Sequence, residues 1–246
     1  MKATQLEFRL RLLIILALFI LGFWAPWAWN PGLFARPAST AWLALSTVLG
    51  QWPALGVEGA TLLVTWVAIA CGAVGAALRI WGTAYLGASI VHSGAMQGGQ
   101  VMVAGPYRYV RNPLYLGSWL FGASVAMLMP PSGAAVFLVL LGLFYFRLIL
   151  GEEAFLAGQI GEPYLEYRRR VPRLLPSLRP RMASAAGHPQ WFLSTMAEIL
   201  PLGYTLCLAV LAWRYDPRLL GQCLLVCFGL SLVTRALLPK NAVGGE

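Results

Sequence analysis

Long apolar runs separated by short polar stretches dominate the chain. A membrane-spanning helix needs about 20 predominantly apolar residues, within a range of about 17–25. The second and fifth runs reach that length, whereas the third, fourth and sixth need their flanking residues or a thin bilayer. The pattern predicts an all-α, polytopic integral membrane protein with about six transmembrane helices. The runs are residues 12–29, 59–78, 113–129, 132–150, 191–213 and 219–234.

Local signals refine this pattern. Residues 130–133 (Pro-Pro-Ser-Gly) predict a tight connection between two antiparallel helices. The first run lacks a small-residue cleavage site and leads into Trp24, Trp27 and Trp29, which favours an anchored helix with an interfacial aromatic belt over a cleaved signal. Residues 41–49 are too short to span and predict an interfacial or re-entrant helix.

Lysine and arginine are distributed unevenly between the two sides of the predicted bundle. The side that is richer in these residues faces the cytoplasm by the positive-inside rule. Both termini are therefore expected to be cytoplasmic, in the plasma or inner membrane if the chain is prokaryotic. The richer side carries Lys2, Arg9, Arg11, Arg79, Arg108, Arg111, the arginines of 168–181, Arg235 and Lys240, against Arg36, Arg214 and Arg218 on the other.

This topology divides the chain into three parts. Transmembrane helices fill residues 1–80, and a transmembrane hairpin fills residues 188–246. Between them, residues 81–187 contain a helical hairpin and two polar stretches, 81–112 and 151–187, that face the cytoplasm. The second polar stretch is predicted to form an amphipathic helical segment, and any chemistry is expected within 81–187.

Composition supports the membrane interpretation. Hydrophobic residues make up 59% of the chain and charged residues 11%, against about 25% charged in a soluble domain. The net charge of +9 fits basic loops facing anionic lipid, so membrane lipids rather than nucleic acid are the expected partners. Cys223 and Cys227 share a helix face, but no His or acid accompanies them and no metal site is expected.

The first polar stretch ends in a segment that suits a ligand. Pro113 is placed for the first turn of a helix and Asn112 for its N-cap. The helix N-terminus would favour an anionic group. The rings of Tyr107, Tyr109 and Tyr115 could stack on an adenine or lie against a sulfonium. A membrane-entry loop with arginines for headgroups and tyrosines for the interface explains the same residues.

The second polar stretch opens with Glu152 and Glu153, which a membrane anchor would not need. Acidic groups at this depth require a cationic partner, and Arg147 or a cationic ligand could supply it. Leu156 and Ile160 share the helix face of Glu152, Gly161 ends that helix, and a second amphipathic helix follows. The arginines 168–170 are equally explained as a polybasic patch for anionic lipid.

The last apolar runs carry few chemical groups. Glu198 lies beside Pro201 near a predicted cytoplasmic end, where a membrane interface explains it better than a polar site. Gly203 and Gly221 suit helix packing or a homodimer contact.

Five motifs in order resemble the isoprenylcysteine carboxyl methyltransferase family and its phospholipid N-methyltransferase relatives. The family pattern has Gly-Pro-Tyr-Arg, Arg-His-Pro-x-Tyr, a helical hairpin, Glu-Glu, Gly-x-x-Tyr-x-x-Tyr and Val-Pro-Arg-x-x-Pro. The resemblance covers about residues 80–180. The matching residues are 105–108, 111–115, 152–153, Gly161 with Tyr164 and Tyr167, and 171–176.

The resemblance implies a site for S-adenosylmethionine. Backbone around residues 99–102 would hold the adenine, residues 112–115 would flank the methionine part, and Glu152 would bind its amino group. An acidic substrate would meet Arg147 or an arginine of 168–170. The cofactor-binding residues implied are His92, Gln100, Val101, Met102, Tyr107, Asn112, Pro113, Tyr115 and Glu152; the catalytic residues are Arg147, Glu153 and Arg168.

One position departs from the family pattern, because Asn112 stands where the family has His. Asn forms hydrogen bonds but exchanges no proton near pH 7. Methyl transfer to a carboxylate oxygen needs no deprotonation, whereas transfer to an amine requires a base, for which Glu153 and Glu166 are the candidates. The substitution therefore favours an oxygen or thiol-type acceptor over an amine.

We therefore expect a membrane methyltransferase that uses S-adenosylmethionine and acts on a lipophilic substrate. An isoprenylcysteine-type or other lipid carboxylate is the leading acceptor, and a phospholipid amine is the alternative. Two other classes remain open. A membrane reductase would use the basic run 168–173 to hold the phosphates of NADPH, and a non-catalytic binding protein would bind the cofactor without turnover.

Overall fold

The computed structural model describes residues 3–24, 39–87, 101–184, 188–214 and 216–237. Within these ranges the regular structure is helical. The α-helices are α1 (Gln5–Arg9), α2 (Arg11–Trp24), α3 (Ala41–Gly50), α4 (Gly56–Leu86), α5 (Pro113–Ala126), α6 (Pro131–Ile160), α7 (Glu162–Arg170), α8 (Trp191–Ala197), α9 (Ile199–Arg214) and α10 (Pro217–Leu237), and a 3-10 turn lies at Gly105–Arg108.

Two of the described helices, α4 and α6, are long and apolar enough to cross a membrane. The helices α8 and α9 form a third span if they count as one broken helix, because they pass the same test together although they are bent by 67°. The apolar parts of α2, α3 and α10 are shorter. The structure thus agrees with an all-α integral membrane protein. It does not confirm six spans, and the orientation of the termini stays a prediction.

Helix boundaries differ from the expectation at both polar stretches. The loop expected from residue 81 begins later, because α4 continues to Leu86 and ends at Gly87 with φ +96°. Similarly, α6 continues through Glu152 and Glu153 to Ile160. Gly161, with φ +73°, ends α6 as predicted, since glycine tolerates a positive φ. The second amphipathic helix then follows as α7.

The helices α4 and α5 pack backbone to backbone. A Cβ atom on Gly75 would lie 2.7 Å from the carbonyl oxygen of Gly117, and a Cβ on Gly117 would lie 2.7 Å from that of Gly75. Further along α4, Gly82 admits the side chain of Leu114. Small residues allow the two backbones to approach closely. This contact favours helix association in a membrane, where packing replaces the hydrophobic effect as the main driving force. The contact places the C-terminal half of α4 beside the N-terminus of α5.

The C-terminal helices join this pair. Tyr204 of α9 donates a hydrogen bond of 3.3 Å to the carbonyl oxygen of Ser124, whose hydroxyl donates to the carbonyl of Ala68 at 2.7 Å. Gly203 packs against Cys227 of α10, as predicted for a helix contact, whereas Gly221 faces open space in the described structure. A homodimer contact stays a prediction.

We expect Gly117→Ala to lower the free energy of unfolding by about 1–3 kcal/mol, because the new methyl group would overlap the α4 backbone. Gly158→Ala in α6 is the control. A Cβ there meets nothing within 4 Å, so improved helix propensity should stabilise by about 0.5–1 kcal/mol. Denaturant titration in detergent micelles measures both, and equal effects of the two substitutions would contradict the close α4–α5 contact.

Candidate functional site

A cavity of about 430 Å³ lies among α1, α2, α4, α5, α6, α7 and the α8–α9 bend. Its size falls within the usual range of small-molecule sites. Charged and polar groups lie together with apolar side chains in its lining. The lining comprises Phe8, Arg11, Leu12, Ile15, Phe19, Arg79, Leu86, Val101, Met102, Tyr107, Arg111, Asn112, Pro113, Leu114, Tyr115, Ser118, Phe121, Tyr145, Leu148, Glu152, Glu153, Phe155, Leu156, Ile160, Tyr164, Tyr167, Ala197, Glu198, Leu200 and Pro201.

Glu152 projects from α6 into this cavity. The Tyr115 hydroxyl, in the first turn of α5, donates a hydrogen bond of 3.0 Å to Glu152 Oε1. Leu156 and Ile160 lie on the predicted face of Glu152 and also line the cavity. The hydrogen bond to this carboxylate comes from a neutral hydroxyl group, and the positive charge of Arg11, in the same cavity lining, also acts on it.

Glu153 is the centre of a buried cluster with two arginines. Its side chain is 4% exposed. Arg173 donates to Glu153 Oε1 at 3.1 Å and to Oε2 at 2.8 Å, and Arg111 Nη1 lies 3.1 Å from Oε1. The Asn112 amide donates to the Arg173 carbonyl at 3.2 Å and, over a longer 3.4 Å, to Glu153. The cluster joins α6 to the segment before α5 and to the segment after α7.

Asn112 occupies the N-cap position of α5 as predicted, but its side chain does not cap the helix in the described structure. The amide nitrogen is instead used by the Glu153 cluster. The first turn of α5 therefore presents its N-terminal end to the cavity, where Pro113, Leu114 and Tyr115 all contribute to the lining.

Arg111 retains unused hydrogen-bonding capacity. Its Nε and Nη1 atoms are buried and form no hydrogen bond with any described residue, although Nη1 is close enough to Glu153 for an ion pair. Burial lowers the pKa of the Arg111 guanidinium and Glu153 opposes this change, but an arginine stays protonated in proteins. A buried donor without an acceptor costs free energy, and an anionic ligand in the cavity would relieve that cost.

Three buried tyrosines lie together in the cavity lining. The Tyr167 hydroxyl donates to the Tyr107 carbonyl at 2.8 Å, and the Tyr107 hydroxyl donates over 3.4 Å to the carbonyl of Gly82. Burial raises the pKa of Tyr164 to about 12 and raises the pKa of Tyr107 and of Tyr167 further. All three hydroxyls are thus neutral at physiological pH, so they act as hydrogen-bonding groups in a wall that excludes water.

Glu198 is a correction to the sequence analysis. It does not reach water at the membrane interface, because it is 1% exposed and lies at the break between α8 and α9. Arg79 of α4 binds it with two hydrogen bonds, from Nε at 2.6 Å and from Nη2 at 2.8 Å, and Thr83 donates a third at 3.0 Å. The bend brings this acid to an arginine 119 positions away.

Arg147 has a different partner from the one predicted. It does not pair with Glu152 or Glu153, because its Nη2 donates to both carboxylate oxygens of Glu7 at 2.8 and 3.0 Å. The Ala3 N–H also donates to the Arg147 carbonyl at 3.1 Å. These bonds hold α1 against α6, and α1 and α2 thereby contribute an apolar wall to the cavity. The wall residues are Phe8, Leu12, Ile15 and Phe19.

Most of the predicted site residues come together in this cavity, and their functional roles stay predictions. Arg147 and Arg168 do not line it, and Arg168 is exposed on α7. His92 and Gln100 lie outside the described residues. The predicted residues in the lining are Val101, Met102, Tyr107, Asn112, Pro113, Tyr115, Glu152 and Glu153.

Four charged residues of the cavity were not assigned to the site from the sequence: Arg11, Arg79, Arg111 and Glu198. Arg111 belongs to the motif of residues 111–115, and its position beside Asn112 could have indicated that it lies at the site. Glu198 is an acid within an apolar run, which is itself a signal of function. Arg79 was interpreted only as a topology marker, because no residue near it in the sequence indicates a partner at position 198.

Part of the chain is similar to known proteins. Residues 63–162 match the family model described as phospholipid methyltransferase. The chain is also similar to protein-S-isoprenylcysteine O-methyltransferase of Schizosaccharomyces pombe (strain 972 / ATCC 24843), with 34% identity over 73 residues. That alignment covers 29% of this chain and spans only 31% of the length of the relative. No solved structure is significantly similar.

The described structure is thus that of an all-α membrane protein in which residues 63–162 are similar to the phospholipid methyltransferase family. The resemblance to the isoprenylcysteine carboxyl methyltransferase family, inferred from the motifs, is confirmed. The matched region contains Arg79, Arg111, the first turn of α5 and the Glu152–Glu153 pair, whereas Arg173 and Glu198 lie beyond it.

The Glu153 cluster predicts a large effect on stability. Glu153→Ala should lower the free energy of unfolding by about 3–5 kcal/mol, because it leaves Arg111 and Arg173 without their carboxylate in a buried site. Glu166→Ala is the matched control, since it breaks an exposed ion pair with Arg170 and should cost about 1 kcal/mol or less. Denaturant titration in micelles compares them. Similar losses for both variants would mean that Glu153 is not the centre of a buried cluster.

Proposed function

We propose that this protein is a membrane methyltransferase that uses S-adenosylmethionine and acts on a lipophilic acceptor, with a lipid carboxylate of the isoprenylcysteine type as the leading substrate. One observation carries the proposal: a single cavity combines the carboxylate of Glu152, the unsatisfied guanidinium of Arg111 and an apolar wall from α1 and α2. The comparisons support the same reaction class, because the relative is named as an O-methyltransferase.

The charges of the cavity suit the amino-acid part of the cofactor. Its ammonium group fits Glu152, whose observed partner is the neutral Tyr115 hydroxyl. Its carboxylate fits the N-terminal end of α5 and the buried Nε and Nη1 of Arg111. The backbone at Val101 and Met102 lies on the same cavity and would hold the adenine.

When bound, S-adenosylmethionine supplies an activated methyl group: a bond from the acceptor oxygen to the methyl carbon forms, the sulfur–methyl bond breaks, and its electron pair stays on sulfur. The protein has to align the acceptor and exclude water. Tyr107, Tyr164 and Tyr167 contribute to exclusion, because they are buried and stay neutral. Tyr115 and Arg111 orient the charged groups around the site.

A carboxylate acceptor needs no base, and the arrangement of acids favours such an acceptor. Glu153 accepts hydrogen bonds from Arg173 and lies in an ion pair with Arg111, so its carboxylate oxygens are already engaged. Glu166 is exposed, pairs with Arg170 and does not line the cavity. The two acids considered as bases for an amine are therefore both engaged by arginines, which disfavours the phospholipid amine alternative.

A lipid-dissolved acceptor fits the walls. Leu12 of α2 lines the cavity and is 63% exposed in the described structure. A long apolar chain could therefore extend from the cavity along α2 into the membrane. The reductase alternative is less well supported, because Arg169, Arg170 and Arg173 of the basic run already bind Glu162, Glu166 and Glu153.

Binding of S-adenosylhomocysteine to the detergent-purified protein tests the proposal directly. We expect binding to the wild type, and Glu152→Gln should weaken it by about tenfold or more, because a charge-assisted bond to the ammonium group becomes a neutral one. Isothermal titration calorimetry measures both. Glu166→Gln is the matched control, because it removes the charge of an exposed acid outside the cavity lining and should bind as the wild type does.

The same titration with NADPH separates the alternatives. Binding of NADPH without binding of S-adenosylhomocysteine would contradict the methyltransferase proposal in favour of a reductase. Binding of S-adenosylhomocysteine that Glu152→Gln leaves unchanged would contradict the assignment of Glu152.

A further inference from the structure

The pair formed by Arg79 and Glu198 lies in the cavity wall and has no role in the cofactor assignment above. Arg79 bridges three helical segments, because it binds Glu198 at the α8–α9 break and donates to the Ser118 hydroxyl of α5. The side chain of Glu198 is 1% exposed, whereas that of Arg79 is 20% exposed. The pair therefore presents its cation, rather than its anion, to the cavity.

A contribution to stability alone explains this pair poorly. Removing two charges from water costs several kcal/mol per ion, and apolar residues of similar volume often replace such a pair without loss. The break between α8 and α9 adds a further cost, since it interrupts a helix within an apolar region. Charged groups at a helix break beside a cavity are typical of a ligand site in membrane proteins.

The donors at this wall indicate the chemistry of the ligand. A guanidinium has five N–H groups, and three of those on Arg79 donate to Glu198 and Ser118, which leaves two for a ligand. The neighbouring lining is apolar at Phe121, Leu200 and Pro201. A ligand that fits has an oxygen acceptor at one end and an apolar body.

We propose that Arg79 is the subsite that receives the carboxylate of the lipophilic acceptor, and that Glu198 is a positioning residue that orients Arg79 and moderates its charge. This inference rests on the proposed function and deepens it. The acceptor subsite would thus be built partly by the α8–α9 bend, outside the region that matches the phospholipid methyltransferase family.

The moderating role of Glu198 follows from the charge change of the reaction. As the acceptor oxygen gains the methyl group it loses its negative charge, the sulfur loses its positive charge, and no proton moves. An uncompensated arginine would stabilise the anionic acceptor more than the less charged transition state, which opposes catalysis. With Glu198 bound, Arg79 still donates hydrogen bonds to the acceptor but attracts its charge less strongly.

A pair of matched probes tests this subsite: N-acetyl-S-farnesylcysteine and its carboxamide, which has the same shape without the charge. Binding of each to the full-length protein in nanodiscs, with S-adenosylhomocysteine present, gives the preference for carboxylate over carboxamide. We expect the wild type to prefer the carboxylate, and Arg79→Gln to reduce that preference by about tenfold. Glu198→Gln should change it in the opposite direction and tighten carboxylate binding, because it uncovers the Arg79 charge.

Two exposed charged residues, Arg9 and Glu162, supply the controls. Arg9→Gln and Glu162→Gln each remove a charge outside the cavity lining and should leave the preference unchanged. If a single substitution at the buried pair prevents folding, the double variant Arg79→Gln/Glu198→Gln replaces both charges by amides, and it should also lose the preference. Loss of packing alone would weaken both probes equally and would not give opposite changes for the two variants.

The outcomes separate this inference from the proposed function. The acceptor subsite is overturned if Arg79→Gln leaves the preference unchanged. It is also overturned if the wild type binds S-adenosylhomocysteine but binds neither probe. Both outcomes leave the cofactor assignment intact. Failure of the wild type to bind S-adenosylhomocysteine contradicts the proposed function. In that case the preference for carboxylate over carboxamide, measured without S-adenosylhomocysteine, still decides whether Arg79 receives a carboxylate.

Discussion

The cost of placing charge inside an apolar helix bundle is the constraint that organises this structure. Each acid in the cavity lining has a donor beside it: Tyr115 for Glu152, two arginines for Glu153, and Arg79 for Glu198. A charge without such a partner would be several kcal/mol less favourable in this environment. The partners come from distant parts of the chain, so these bonds also determine how the helices and the polar segments are arranged.

The three acids differ in a way that is relevant to function. Glu153 and Glu198 form ion pairs with arginines, and these ion pairs connect segments that are distant in the sequence. Glu152 accepts a hydrogen bond from the Tyr115 hydroxyl and lies in the same cavity lining as Arg11. Arg111 is the complementary case, because it is buried with two nitrogen atoms that form no hydrogen bond with the described residues. The cavity thus combines the carboxylate of Glu152 with the guanidinium of Arg111, which retains hydrogen-bonding capacity, and this combination suits a ligand with both charges.

Close backbone packing makes this arrangement of charge possible. Gly75 and Gly117 bring α4 and α5 together, and the contact places Arg79 within reach of Ser118. Access for a lipophilic ligand depends on a different element, the apolar wall that α1 and α2 form when Glu7 binds Arg147. The α4–α5 contact thus supports polar groups of the cavity, and the ion pair of Glu7 with Arg147 supports its apolar wall.

The sequence by itself determined the all-α membrane class, the motif region and the main members of the cavity, because apolar run length and the order of motifs are local signals. Residues such as Tyr107, Tyr115 and Glu152 could be named for that reason. Only the tertiary structure decided how the charges pair. Arg147 binds Glu7 rather than Glu152 or Glu153, and Glu198 is buried against Arg79. These pairings join residues more than 100 positions apart, and they depend on helix packing and on a 67° bend that no local pattern specifies.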